Sequence, residues 1–364
     1  MSPVITENLD RDIAIIKKRR GIEAIHNGDE QPPISRIPVD SPSLMRITSG
    51  GFPLGRMSRF WGPPSSGKTL LAQMVIKAAQ NLVSAKYPTG LECVYYNIEG
   101  IYEEKFAAGQ GIDIKKLKIS EGNITEDVAR EMQLLLGSAH VHIVDSTTES
   151  IPQDRLNKDP GDWDVGLDIR VWNKCLGYIH NAMDKDDNAI IFIDHAGKDF
   201  KTKSEFAKGG KELEFGSSMS LHCVKGKWLF YDDEGMLQTE DKLKEKGLLG
   251  FAGHKEADGV EYIIQVNKSR VCRPLRKANL RFDLNTFKFD YVFELMQGAE
   301  YYDKDGNIAH RSGTPAIAHR QAKQGGWVTL PDNTKIQGER ALRQMIDADK
   351  DLARLIRSAM LAGN

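Results

Sequence analysis

Gly62-Pro63-Pro64-Ser65-Ser66-Gly67-Lys68-Thr69 fits the pattern G-x-x-x-x-G-K-[ST], and the rest of the chain is read outward from it. Arg56 to Trp61 before it reads as a strand and Leu70 to Ala85 after it as a helix, the context that pattern requires. Such a stretch is a phosphate-binding loop. Its glycines let backbone N–H groups turn inward on a polyphosphate at a helix N-terminus, Lys68 adds a mobile positive charge, and the Thr69 hydroxyl can ligate Mg²⁺.

The chain has 364 residues, beyond the size at which one core usually stops growing, so a large central domain with small appendages is expected. Lys+Arg 50 against Asp+Glu 51 leaves a net charge of −1, so a nucleic-acid site must come from local clustering rather than an overall basic field. The cysteines, Cys93, Cys175, Cys223 and Cys272, lie far apart without a C-x-x-C pair, which argues against a zinc site or a disulfide framework. There is no apolar run of transmembrane length, and Met1 to Gly21 is too charged for a signal sequence. The expectation is a soluble intracellular protein with no membrane partner.

Residues 8–20, with Leu9, Ile13, Ile15 and Ile16 among charges, read as a short amphipathic helix, followed by an extended Pro-containing segment from Asn27 to Pro42. A helix of that length cannot bury its apolar face alone, so it docks on its own core or on a neighbour. From Gly51 to Asp194 strands and helices alternate. The strands are continuous apolar runs, Met57–Trp61, Cys93–Ile98, Val141–Val144 and Ala189–Ile193, separated by helices at 70–85, 126–137 and 166–184. Runs buried on both faces with intervening helices indicate a parallel sheet in an α/β domain, with the chemistry on loops at the C-terminal strand ends.

Several such loops carry suitable residues. Asp145 ends an apolar strand where a phosphate-loop protein needs a carboxylate for the water shell of Mg²⁺; the alternative is a helix cap or turn residue. Glu99 ends another strand and can orient and deprotonate an attacking water, or simply be solvated. His195 can hydrogen-bond a terminal phosphate and report its presence to the following loop, or be a structural histidine. That following stretch, residues 196–211, has five lysines, two phenylalanines and three glycines and no helical or strand period. It reads as a flexible basic loop suited to single-stranded nucleic acid, the alternative being a solvated surface loop. A second polar loop, Gln153 to Val165, has its tip at Trp163.

From Ser217 the pattern turns to period two, Ser218–Val224, Trp228–Tyr231, Val260–Val266 and Leu280–Leu284, read as an antiparallel extension of the sheet. Residues 235–259 read as a mobile polar insertion. A basic group follows at Lys268, Arg270, Arg273, Arg276, Lys277 and Arg281. Beyond Lys288 comes a small α/β module with helices at 290–301, 338–347 and 349–361 and a strand pair near Trp327 and Lys335. The expected domains are 1–42, an N-terminal helix and linker; 43–287, the nucleotide-binding core; and 288–364, the C-terminal module.

With these pieces in order the chain resembles the RecA family of ATP-dependent recombinases and looks closest to its phage-encoded UvsX-like branch. The resemblance is carried by Gly50-Gly51-Phe52-Pro53-Leu54-Gly55-Arg56 leading into Gly62–Thr69, then Asn97-Ile98-Glu99, Val144-Asp145-Ser146, Gly209-Gly210 and Val266-Asn267-Lys268-Ser269-Arg270. It implies a RecA-like core in which Gly62, Pro63, Pro64, Ser65, Ser66, Gly67, Lys68 and Thr69 bind ATP, Thr69 and Asp145 serve Mg²⁺, and Glu99 is the catalytic glutamate. Phe106 matches an aromatic that stacks on adenine, Glu103 lies near the same base, and His195 matches the phosphate-sensing residue. Loops 153–165 and 196–211 match the family's two DNA-binding loops. Val165, rather than Trp163, stands where an apolar residue wedges between bases, and Arg170 contacts phosphate after the first loop; Lys198, Phe200, Lys201, Lys203, Phe206, Lys208, Gly209, Gly210 and Lys211 belong to the second.

Lys268 and Arg270 match basic residues that reach a neighbouring subunit's ATP, and the N-terminal helix then docks on a neighbouring protomer. Asp194 stands where relatives often carry Asn, and Val266 where bacterial members have a second lysine. The implied function is an ATP-dependent recombinase that forms helical filaments on single-stranded DNA and pairs it with duplex DNA, aided by single-strand-binding and loading proteins. It would act in the cytoplasm, a bacterial host's if the chain is phage-encoded. The rivals are a hexameric helicase on the same core and a nucleotide-gated recombination mediator with little ATPase.

Overall fold

In the computed structural model the phosphate loop joins the central strand of one large sheet to a buried helix. The structure describes residues 3–20, 33–156, 158, 166–183, 187–199, 202, 204–232, 237–238, 240–247, 256–299, 319–321, 327–329, 335–337 and 339–362. The chain divides into two units, Met1–Ser35 and Arg36–Asn364. The first holds helix α1 (Pro3–Arg20), longer at its N-terminus than the apolar spacing predicts, with Leu9, Ile15 and Ile16 exposed.

The second unit begins with β1 (Arg36–Ile37), α2 (Pro42–Ile47), β2 (Phe52–Pro53), β3 (Arg56–Gly62), α3 (Lys68–Gln80), β4 (Cys93–Asn97), α4 (Glu104–Gly109), β5 (Leu117–Glu121), α5 (Thr125–Leu135) and β6 (Val141–Asp145). It continues through α6 (Gln153–Leu156), α7 (Leu167–Ala182), β7 (Ala189–Lys198), β8 (Glu205–Ala207), α8 (Lys211–Gly216), β9 (Met219–Tyr231), β10 (Leu237–Gln238), α9 (Glu240–Glu245), β11 (Gly259–Ser269) and β12 (Lys277–Asp283). Then come β13 (Lys288–Phe289), α10 (Tyr291–Ala299), β14 (His319–Gln321), β15 (Trp327–Thr329), β16 (Lys335–Gln337), α11 (Glu339–Ala348) and α12 (Lys350–Ala362).

The main sheet runs β13-β12-β11-β9-β3-β7-β6-β4-β5. Its parallel part works as the continuous apolar runs predict, because consecutive residues bury opposite faces. Cys93 and Tyr95 of β4 pack with Phe60, Leu71, Val75 and Ile191 on the α3 side. Val94 and Tyr96 pack with Val144, Trp172 and Phe192 on the α5–α7 side. The edge strand β5 is absent from the expected list: its burial is mixed, and an exposed edge carries no continuous apolar run.

The extension departs from expectation at its first member. β9 is one strand, not two, and it pairs in parallel with β3, Ser58 against Met219 and Trp61 against His222. Along the main strand order the pairing turns antiparallel from β11 outward. Period two reports which face a residue takes and says nothing of strand direction. The 235–259 insertion also carries structure in its described part, β10 pairing antiparallel with β9, followed by α9.

Arg36–Ile37 already belongs to the second unit, ahead of the expected boundary at 42; its strand pairs with β2, and the Arg36 guanidinium donates to the carbonyls of Thr48, Gly51 and Val271. α2 starts at Pro42 with Ser41 as cap, its hydroxyl accepting from the Leu44 N–H at 3.1 Å. The C-terminal helices form their own small core of Leu295, Met296, Leu342, Ile346 and Ile356. One carboxylate ties them to α2: Glu294, fully buried, accepts from the Ser41 hydroxyl and from the Ser43 N–H at 3.0 Å. Among the described residues no helix is long and apolar enough to cross a membrane.

Candidate functional site

The loop after β3 and the C-terminal ends of β4, β6 and β7 enclose a cleft of about 290 Å³, lined by Pro64 to Leu70, Glu99, Ile101, Asp145, His195 and Tyr262. Local geometry explains the glycines. Gly67 caps α3 with φ 84°, and a Cβ there would meet the Tyr262 ring at 2.9 Å; a Cβ on Gly62 would sit 2.0 Å from the Cys223 carbonyl oxygen. The Ser66 hydroxyl, just ahead of the Gly67 cap of α3, is buried without a hydrogen-bond partner in the protein. Buried donors around an open helix N-terminus fit a polyphosphate.

Lys68 donates to the carbonyls of Gly62 at 3.1 Å and Pro63 at 2.8 Å, and burial pulls its pKa below the ordinary lysine value. Asp145, 1% exposed, accepts from the Thr69 hydroxyl at 2.7 Å and the Tyr95 hydroxyl at 2.6 Å. Its burial pushes the carboxyl pKa up, and the two hydroxyls only partly offset this. A hard divalent cation beside Thr69 and Asp145 would reverse that balance, so this oxygen pair fits Mg²⁺. Opposite, Glu99 Oε1 accepts from His195 Nε2 at 2.7 Å, and that hydrogen bond holds the Glu99 carboxyl below its ordinary range despite partial burial.

Other expected nucleotide contacts are not gathered here. Phe106 packs against Phe287 at 5.2 Å and Phe282 at 5.8 Å between ring centroids, so its ring is engaged in an aromatic group at the β12 edge. Glu103 is the exposed cap residue of α4 and does not line the cleft. Ile101 and Tyr262 do, and neither belongs to a recognisable motif. Tyr262 reaches Gly67 because β11 lies beside β9, a long-range register no local pattern reports.

Lys268 and Arg270 also lie away from the cleft. Lys268 is level with Ser220 and hence with Arg59, about 10 Å short of Gly62 at the rise of a strand. Its ammonium donates to the Glu214 carbonyl and lies 5.3 Å from the Phe215 ring, while the Arg270 side chain is exposed. Val266, at the position of the missing lysine, is buried in the core.

Residues 196–211 correct the expectation of an unstructured loop. β7 runs on to Lys198 and turns back as β8, pairing Ala196 with Ala207, Gly197 with Phe206 and Lys198 with Glu205. Three paired residues on each side are too few to show a period, which is why the hairpin is invisible in the sequence. Lys198, Lys208 and Lys211 are exposed, and Phe206 is 50% exposed with its ring over Gly197. Lys208 N–H returns to the His195 carbonyl at 3.0 Å. Gly209 sits on the Asp194 carboxylate, where a Cβ would clash at 2.5 Å, and Gly210 has φ +89°. Asp194 in turn is ion-paired to the buried Arg59 and accepts from the Thr147 hydroxyl. Arg170 is exposed on α7; Trp163, Val165, Phe200, Lys201 and Lys203 lie outside the described residues.

Such a cleft, with a phosphate loop, a buried acid facing its threonine and a second carboxylate across the gap, defines a nucleotide-binding protein of the phosphate-loop class. Comparison with known proteins narrows it further. Residues 7–247 match the family model of the RecA N-terminal domain. Over nearly its whole length the chain is similar to Protein RecA of Herpetosiphon aurantiacus, 26% identical across 99% of this chain and 90% of that protein. It is likewise similar to Protein RecA of Thermus aquaticus, 25% identical across 98% and 94%. Protein RecA of Aquifex aeolicus is 31% identical across 58% and 62%. The chain belongs to the RecA family of ATP-dependent recombinases.

Proposed function

We propose that the protein is a DNA-dependent ATPase that polymerises on single-stranded DNA as a helical filament and promotes pairing and strand exchange with duplex DNA. The observation that carries this reading is the continuity through His195. Its ring holds Glu99 in the cleft, and its own carbonyl holds Lys208 of the basic hairpin, so one residue spans the nucleotide cleft and the base of the β7–β8 hairpin.

In this reading Gly62 to Thr69 and Lys68 hold the phosphates of ATP, Thr69 and Asp145 hold Mg²⁺, and the ion, when bound, supplies positive charge to the phosphate oxygens. Glu99 orients an attacking water and takes its proton; the hydrogen bond from His195 keeps that carboxylate ionised and aimed. Arg170, Lys198, Lys208 and Lys211 meet DNA phosphates and Phe206 a base plane, without reading base identity. Lys268 and Arg270, remote from their own cleft, serve the ATP of the next protomer, so that ATP stabilises the filament and hydrolysis loosens it. Single-strand-binding and loading proteins are its partners, and the cytoplasm, a phage host's if the chain is phage-encoded, is where it works.

Electron microscopy with single-stranded DNA and a non-hydrolysable ATP analogue tests the assignment. Open helical filaments support it, closed six-fold rings replace it with a helicase, and no assembly replaces it with a mediator.

A further inference from the structure

Strand β9 lies directly against the start of the phosphate loop. The Cys223 carbonyl leaves no room for a side chain at Gly62, so any shift of that turn presses on the β9 backbone. Immediately before it, the His222 ring stacks on the Trp61 indole with centroids 4.0 Å apart and planes 15° from parallel. The parallel register places these two residues side by side.

The other edge of the same ring reaches the β7–β8 hairpin. His222 Nε2 is 3.1 Å from Glu205 Oε2. An ionised carboxylate only accepts, so the imidazole N–H donates. Glu205 is in β8, paired with Lys198 of β7. One imidazole therefore touches both the strand that feeds the phosphate loop and the basic hairpin.

The hairpin has other attachments, but they hold its root. Arg59 and Asp194 are buried beneath Gly209, and Lys208 is tied through backbone atoms. The Glu205 and His222 side chains remain 26% and 19% exposed, which lets their bond form and break without opening the core.

We propose that His222 is a positioning residue that couples the phosphate loop to the hairpin through Glu205, a second route beside the Glu99–His195 contact. This role rests on the proposed function of the hairpin as a DNA-binding element. Its signature is in the dependence of ATP turnover on DNA and not in the turnover itself.

The test uses the full chain with ATP, with and without single-stranded DNA, and reads the ratio of DNA-stimulated to DNA-free hydrolysis. His222→Ala and Glu205→Ala should each lower that ratio by about five- to tenfold, with the double variant no lower than either single one. DNA-free turnover and KM for ATP should stay at the wild-type value. His222→Gln, whose amide can still donate to Glu205, should recover most of the ratio. Glu205→Ala cuts the bond from the hairpin side and leaves the Trp61 stack intact, so a folding defect in the His222 variant does not hide the result. An unchanged ratio in Glu205→Ala, a Gln variant as poor as Ala, or single losses that multiply in the double variant would overturn the coupling. A wild-type chain without DNA stimulation would remove the DNA-binding reading and this route together; stimulation that survives Glu205→Ala removes only the route.

Discussion

The two halves of the main sheet use the same kind of strand to opposite ends. In the parallel half, β3, β4, β6 and β7 bring the phosphate loop, Glu99, Asp145 and His195 to one cleft. On the other side of β3, the antiparallel strand β11 contributes one aromatic wall, Tyr262, while its Lys268 points to the Glu214 carbonyl, level with Arg59 and short of the loop. Parallel strands all end at the same edge and so concentrate chemistry there, whereas an antiparallel strand carries its last residues away from it. The first half gathers a cleft within one chain; the second keeps Lys268 away from it, and on the proposed function that charge serves a neighbouring protomer.

That contrast breaks most sharply at Lys68. Lys68→Ala should lower ATP hydrolysis by about a thousandfold or more, measured as phosphate release; normal turnover would mean the cleft is not the site. Glu99→Gln should cost about 10²–10⁴ in turnover while nucleotide binding, followed by fluorescence of a labelled analogue, persists. A variant that no longer binds nucleotide would make Glu99 structural.

On the other half, Lys268→Ala should leave nucleotide binding by the isolated chain intact and lower DNA-stimulated hydrolysis by about tenfold. Unchanged stimulation would contradict a cross-interface role. A finer effect lies in the pH profile. The His195 hydrogen bond lowers the Glu99 pKa, so activity should fall only as pH drops through that depressed value. In His195→Ala the acid limb should move to higher pH, and an unmoved limb would separate Glu99 from the titration.

Outside both halves of the cleft, Glu294 predicts a change in stability with none in hydrolysis. Burial pushes its carboxyl up from 4.5 to about 8, and Asp290 adds to the rise. The folded state therefore keeps this proton longer than the unfolded chain, and the stability present below pH 4.5 is lost as pH rises toward 8. Glu294→Gln should flatten that decline in thermal melts and leave ATP turnover as it was; a melt that still falls equally with pH would assign the slope elsewhere.

The parallel strands and the phosphate loop are legible in the sequence because burial on both faces leaves unbroken apolar runs and the loop has a fixed spacing. Asp145, Glu99 and His195 are found because each follows such a run. What depends on partners far along the chain is not legible. Phe106 carries the same side chain whether it faces a base or, as here, Phe282 and Phe287. Tyr262 and His222 gain their neighbours only from the register of β9 and β11, and the three-residue β8 strand is too short to announce itself.

The buried Arg59–Asp194 pair under Gly209 bears on how this molecule responds to ionic strength. Mobile ions screen charges that water reaches and hardly touch a pair sealed in the core. Exposed lysines on the hairpin should thus lose their grip on a polyanion as salt rises, while the base of that hairpin stays pinned. On the proposed function, potassium chloride then becomes a selective dial: it weakens the hold of the exposed Lys198 and Lys208 on a polyanion and leaves the buried pair beneath Gly209 as a fixed reference.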